Sequence, residues 1–290
     1  YRPDVKTRLG IDYETLSQDN PGLVYASISG FGQDGPYAKR PGFDQIAQGM
    51  GGLMSITGAP GEGPMRVGIP IADLTAGLFA AQGIFIALLE REDSGKGQWI
   101  HTSLLQAQIF MLDFQASRWT MSGEVAGQAG NNHPTSIPTG AFKTSDGFIN
   151  LAVSGGEIWQ RCAKVLGRED LIDNPDYKTG GDRSRNRDTL NAIIQEILEQ
   201  KSSGEWVDAF NAAGVPCGPI YAINEVFEDP QVRHLGMARD VASPTLGRDI
   251  ALINQPIMMS RTPTAMASHP PDPGEQSDEI LGELGLSTAE

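Results

Sequence analysis

The run LTAGLFAAQGIFIALL, residues 74–89, constrains this chain more than any other stretch. Leu74, Leu78, Ala81, Phe85 and Leu88 step by four and three, the spacing that draws one apolar stripe along a helix. The run carries two glycines, ends in the polar turn EREDSGKGQ and falls short of transmembrane length, so a buried core helix is expected. Just before it, VGIPIADLTAG puts a single carboxylate, Asp73, where the helix should begin. Aspartate is a good N-cap, and a helix N-terminus also favours an anion that could serve as a nucleophile. The pattern alone leaves both roles open.

On the upstream side, IDYETLSQDNPG (11–22) reads as a short helix stopped by Asn-Pro-Gly, and LVYASISGFG (23–32) as a strand. A helix followed by a strand points to α/β architecture with a parallel sheet. QDGPYAKRPG (33–42) is turn chemistry and predicts a surface loop. Downstream, IHTSLLQAQIFMLDFQ (100–115) reads as a second core helix or a strand leading into one. From about residue 121 the sequence turns Gly-, Asn- and Pro-rich, as at a boundary. AFKTSDGFINLAV sets two apolar runs around Asp-Gly, a hairpin signal, and EIWQRCAKVLG, RDTLNAIIQEILEQ and SGEWVDAFNAAG are helical. The last section starts with a strand-like run, continues through Pro-rich chain and ends in a short helix, with Ser277 or Asp278 as its expected cap.

Charge and cysteine content narrow the functional classes. With 22 basic and 36 acidic residues the net charge is −14, and no Lys/Arg-rich run occurs, which argues against a nucleic-acid or anionic membrane partner. Cys162 and Cys217 form neither a disulfide framework nor a metal-binding pair, and the four histidines never approach ligand spacing, so no metal site is expected. ASISG lacks the first glycine of a nucleophile elbow, and DSGKGQ lacks the glycine spacing and the Ser/Thr of a phosphate loop. The opening YRPDVKTRLG shows neither an initiator Met nor a signal-peptide pattern.

Taken in order, the segments RPDVKTRLGIDYETL, NPGLVYASISGFGQDGPYAKRPGFDQIAQGMGGLMSITG, RVGIPIADLTAGLFAAQGIFIALLERE, GKGQWIHTSLLQA, IPTGAFKTSDGFI, GVPCGPI and QPIMMSRTP resemble the class III CoA-transferases. This is family III, formyl-CoA transferase and carnitine CoA-transferase-like, of the CaiB/BaiF type. The resemblance implies a Rossmann-like large α/β domain plus a small α+β domain, in an interlocked homodimer. The expected division is a CoA-binding part over 1–125, a small domain over 126–228, and a C-terminal segment over 229–290 that returns to the large domain.

The resemblance also implies a reaction and its residues. Coenzyme A would move from an acyl-CoA to a small free carboxylic acid, with Asp73 as nucleophile and no cofactor beyond coenzyme A itself. Asp44 matches an acidic active-site position, and Gln48, one helical turn on, is a candidate for contact with substrate or aspartate; Tyr1, Arg8, Lys39 and Arg40 are the candidates for binding coenzyme A; and Gly130, Asn131, Asn132 and His133 lie in the loop expected to cover the nucleophile. For each there is a plainer use: a loop cap for Asp44, solvated charges for Arg8, Lys39 and Arg40, a linker for 129–136. Related α-methylacyl-CoA racemases place a histidine before the acidic residue, where this chain has Phe43, so isomerase chemistry loses a base. Family members also carry a strand-helix-strand half before the position of Tyr1, and a fragment, or a truncated paralogue that binds without turnover, is the expectation that follows. A cytoplasmic location is expected, with the mitochondrial matrix as the other compatible compartment.

Overall fold

The computed structural model describes residues 3–265 and 268–286, so Tyr1 lies outside the described residues. Packing divides the chain into two compact units, Tyr1–Gly218 and Pro219–Glu290. The first opens with α1 (Pro3–Arg8) and α2 (Tyr13–Asp19), whose N-cap Asp12 accepts from the Thr15 N–H, and continues into β1 (Tyr25–Ser29). After a loop come α3 (Asp44–Met50), α4 (Leu53–Ile56) and α5 (Ile71–Ser94). β2 (Trp99–Ser103) then pairs parallel with β1, Tyr25 opposite Trp99 and Ser29 opposite Ser103, and runs straight into α6 (Leu104–Phe110) and α7 (Phe114–Ser122).

The face that α5 buries is not the expected one. Ala72, Thr75, Ala76, Ala80 and Ala87 point inward, while Leu74, Leu78, Phe85 and Leu89 are 51–72% exposed. The cause is close approach. At Gly83 a Cβ would come 2.9 Å from Ile100 Cδ1 of β2, so only small residues fit between helix and sheet. The core here is correspondingly small: Ala47, Ala72, Ala76, Leu104 and Ala107, with Phe79 against it. The helix also runs past the apolar stretch to 24 residues, and with a mean hydropathy of 1.7 it is long and apolar enough to cross a bilayer by length and composition. Its small-residue face is nevertheless used against the strand pair and α6, as in a globular α/β layer.

A second core lies further along the same unit. β3 (Thr139–Lys143) and β4 (Phe148–Ala152) form the antiparallel hairpin, extended by β5 (Cys217–Pro219). Around it stand α8 (Gly155–Val165), α9 (Gly180–Arg185), α10 (Arg187–Leu198) and α11 (Ser203–Ala212). Ile149, Leu151, Trp159, Leu190, Ile194, Leu198 and Phe210 are buried together, the large side chains the first core lacks. Capping boxes at Thr179/Asp182 and Ser202/Glu205 start α9 and α11.

The second unit contains α12 (Ile223–Val226), α13 (Pro230–Leu235), the antiparallel pair β6 (Ala238–Ser243) and β7 (Arg248–Ile253), and α14 (Ser277–Glu283). Gln276 is the N-cap residue of α14 and makes no side-chain capping bond; Ser277 and Asp278 already lie inside the helix, so neither is the expected cap.

Candidate active site

The helix that carries Asp73 starts two residues before it, after Pro70, which makes no side-chain capping bond. Asp44, buried at the start of α3, fills that role across the fold: its Oδ1 accepts the Ala72 N–H at 2.8 Å. Its Oδ2 accepts Gln48 Nε2 at 2.7 Å. Gln48, fully buried, turns its Oε1 to the Val67 N–H at 2.9 Å and also donates to the Ile69 carbonyl at 3.3 Å. One carboxylate and one amide thus bracket residues 67–72, the segment that delivers the nucleophile candidate.

Asp73 is therefore not a cap. Its side chain is exposed, and among the described residues it has no hydrogen-bond or ion-pair partner. Partial burial of the carboxyl, and then the negative charge of Asp44, raise its pKa above the ordinary 3.8. The helix N-terminus acts in the opposite sense and favours the anion. The result is an unengaged carboxylate, more basic than usual, on a rigid backbone.

Phe43, adjacent to Asp44 and 76% exposed, lines a cavity of about 370 Å³. Ile28, Ser29 and Gly30 at the carboxyl end of β1, Leu104 at the start of α6, and Ala38, Arg40, Pro41 and Gly42 of the surface loop complete most of its wall. Ligands of open parallel sheets collect at this end of the strands. The loop approaches so closely that a Cβ on Gly30 would lie 2.9 Å from Gly42 Cα, which accounts for glycine at both positions.

The other candidates are spread out. Arg40 lies over the Tyr37 ring at 3.8 Å beside this cavity, Lys39 is exposed next to it, and Arg8 is exposed at the end of α1. Lys6, which sequence reasoning passed over, lies over Trp99 at 3.7 Å and donates to Gln33 Oε1. In the 129–136 loop the Gly130 N–H bonds the Gly58 carbonyl, and Asn131 O accepts the Ala141 N–H. Asn132 Oδ1 accepts from Asn191, while His133 Nδ1 accepts the Thr135 and Ser136 N–H groups and its ring stacks on Phe114. Gln128, which no sequence pattern singles out, donates to the Thr57 and Gly63 carbonyls, so this loop is tied to the segment leading to Val67. No cluster of three or more His, Cys, Asp or Glu side chains suited to a metal ion occurs among the described residues.

A carboxylate nucleophile candidate on a backbone tied to Asp44, and a cavity at the parallel sheet's carboxyl end lined by the neighbouring Phe43, meet a matching comparison: the model of CoA-transferase family III covers residues 1–277. The chain belongs to CoA-transferase family III. Its relatives include human succinyl-CoA:glutarate CoA-transferase, 34% identical over 98% of this chain and 65% of the human protein. Succinate–glutarate CoA-transferase of Agrobacterium fabrum is 37% identical over 98% of this chain and 71% of that protein, and acetyl-CoA:oxalate CoA-transferase of Acetobacter aceti is 33% identical over 95% and 68%. The chain thus spans about two thirds of the length of these family members. A crystal structure of a CaiB/BaiF family protein from Brucella suis superposes with a TM-score of 0.84 at 33% identity, over 98% of this chain and 74% of that one. The α/β family fold expected from the sequence is the fold observed.

Proposed function

We propose that this chain carries the nucleophile of a CoA-transferase that moves coenzyme A from an acyl-CoA to a small carboxylic acid. What supports this reading is the unpartnered Asp73 carboxylate on a backbone bracketed by Asp44 and Gln48. One Asp73 oxygen attacks the thioester carbonyl, the C–S bond breaks, and a mixed anhydride and CoA thiolate result. The thiolate attacks Asp73 Cγ, the anhydride C–O bond breaks, and the first acid leaves an aspartyl-CoA thioester. An acceptor carboxylate then attacks Cγ and displaces the thiolate, which attacks the acceptor's acyl carbon to release the new acyl-CoA and free Asp73. Each step exchanges activated carbonyls of similar energy, and covalent catalysis divides the transfer into easier stages. The raised pKa of Asp73 makes its anion the better nucleophile.

The acids are of the dicarboxylate class, a reading supported by the glutarate- and oxalate-specific names of relatives and by the exposed cations Lys39 and Arg40 near Asp44. A homodimer is part of the same proposal, and the exposed apolar side chains of α5 are consistent with it. The test is peptide mass spectrometry after incubation with succinyl-CoA or acetyl-CoA. A CoA adduct, or a borohydride-reduced one, is expected on the peptide containing Asp73 and absent from Asp73→Asn. An unmodified Asp73 peptide with every donor, coenzyme A binding intact, would refute the assignment.

A further inference from the structure

The second core of the first unit holds a cavity of about 370 Å³ lined by none of the residues of the chemistry above. On one wall is the start of α8, where Gly155 and Gly156 line the cavity. Ser154 makes no side-chain cap there, and the N–H groups of Gly155, Gly156 and Glu157 meet no acceptor among the described residues. Opposite stands Arg183, only 2% exposed. Its Nε donates to the Ile137 carbonyl at 2.8 Å and its Nη1 to the carbonyls of Tyr177 and Lys178 at 3.0 and 3.3 Å. Nη2 has no partner among the described residues and lies towards Gly180, another lining residue.

A buried guanidinium ordinarily faces a carboxylate. Here its face lies over the Trp159 ring at 5.1 Å and Asp182 acts on it through charge alone, with no carboxylate bonded to its free edge. Asp182, its neighbour in the chain, is engaged by Thr179 and Arg185, and Glu157 pairs with Arg161 at the surface. Uncapped helix N–H groups and a free edge of a guanidinium are the two donor types that bind phosphate oxygens best. Lys178 stands at the rim, in a loose 3.7 Å pair with Asp173.

We propose that this cavity is a phosphate-binding site, formed by the α8 N-terminus and Arg183 Nη2 and separate from the Asp73 site. A carboxylate has two oxygens to offer; the tetrahedral phosphate can address the helix N–H groups and Nη2 together. The volume leaves room for a small organic group beyond the phosphate.

The test is titration of the full chain with inorganic phosphate and, separately, with adenosine 3′,5′-bisphosphate, followed by calorimetry and by the amide resonances of Gly155 and Gly156. Saturable binding at one site is expected, with those amides shifted. Gly156→Asp is the decisive variant. Its Cβ meets nothing within 4 Å, so the fold accepts it, and its carboxylate occupies the anion position. Affinity should fall at least about tenfold. Arg183→Lys should weaken binding too, but it also disturbs the Ile137 and Tyr177 carbonyls, so Gly156→Asp carries the conclusion. With the Gly155 and Gly156 amides shifted, equal affinity for both ligands would assign the site to the free ion and much tighter binding of the bisphosphate would assign it to phosphate esters; either supports the proposal, whereas binding that leaves those amides unshifted reports the coenzyme A site and overturns it. No saturation by either ligand, or binding unchanged in Gly156→Asp, would overturn it.

Discussion

Replacing Asp44 separates its two effects on Asp73, one mechanical and one electrostatic. Asp44→Ala removes the acceptor of both the Ala72 N–H and the Gln48 amide and leaves two buried donors unmet. A lost cap costs about 0.5–2 kcal/mol and a stranded buried donor about 1–3 kcal/mol; because the terms overlap, about 2–4 kcal/mol is expected. The loss is local, so exchange of the backbone amides over residues 67–77 should quicken about 30-fold or more. Asp44→Asn keeps the shape and an oxygen for Ala72, but its NH₂ faces Gln48 Nε2. If Gln48 flips to accept it, its own NH₂ then faces the Val67 N–H. One hydrogen bond is lost if Gln48 stays and two, from Val67 and to Ile69, if it flips, a cost of about 1–2 kcal/mol. In both variants the charge that helps raise the Asp73 pKa is gone. The pH at which Asp73 becomes reactive in the adduct assay should therefore move down in Asp44→Asn, while amide exchange quickens less than in Asp44→Ala. Hydrogen exchange read by mass spectrometry, beside the pH profile of adduct formation, gives both numbers. Exchange over 67–77 in Asp44→Ala indistinguishable from the parent chain, or an unmoved pH profile in Asp44→Asn, would refute the reasoning.

Burial pushes the Cys162 thiol up to about 12 and Cys217 to about 11, so neither should be alkylated appreciably by iodoacetamide at pH 8 until the chain is unfolded; fast labelling of native Cys162 would contradict its packing. Hydrogen bonds hold Asp146 (chiefly from the Ser203 N–H) and Asp182 (chiefly from the Thr179 hydroxyl) below their ordinary 3.8, and Glu205 (chiefly from the Ser202 hydroxyl) below its ordinary 4.5. A pKa depressed on folding contributes stability that is present above the unfolded value and lost as pH falls through the folded one. Protection of residues 139–212 against hydrogen exchange, corrected for intrinsic rate, should therefore be level above about pH 5 and fall below about pH 4; a rise in protection on acidification would reverse the sign. Gly97→Ala should destabilise the first unit by about 3 kcal/mol or more, because the new Cβ would lie 2.0 Å from the Leu23 carbonyl oxygen. A denaturant midpoint within error of the parent chain would show that the loop yields.

Several local signals in the sequence were read correctly, though the expected Ser277 or Asp278 cap of α14 was not, because both residues lie inside the helix. The Asn-Pro-Gly stop after α2 and the Asp-Gly hairpin depend on residues adjacent in the chain. So does the joint at Asp73, which falls in the first turn of α5. Periodicity also showed that α5 has a stripe of large apolar residues, but not that the sheet would take the alanines. That choice depends on how near β2 comes, a distance set by Gly83 against Ile100. The cap on α5 was legible only as a type of residue. Asp44 is 28 positions from the N–H it accepts, and nothing in the intervening sequence encodes that pairing. Gln48 was singled out for contact with substrate or aspartate, and the aspartate it meets is Asp44, through an amide orientation that no spacing rule predicts. β6 has burial on few of its positions, so it carries no alternation to detect.

The long helix also has a mechanical character. At 1.5 Å per residue its 24 residues make a rod of about 36 Å. It is pinned at both ends, by Asp44 on the Ala72 N–H and by Arg91, whose Nη1 holds the Gly22 carbonyl at 2.9 Å. The middle of the rod is supported as well, where Gly83 packs on Ile100 of β2. Asp73 sits one residue from the first clamp, so the carboxylate proposed as nucleophile is carried by a rod held at three points along its length.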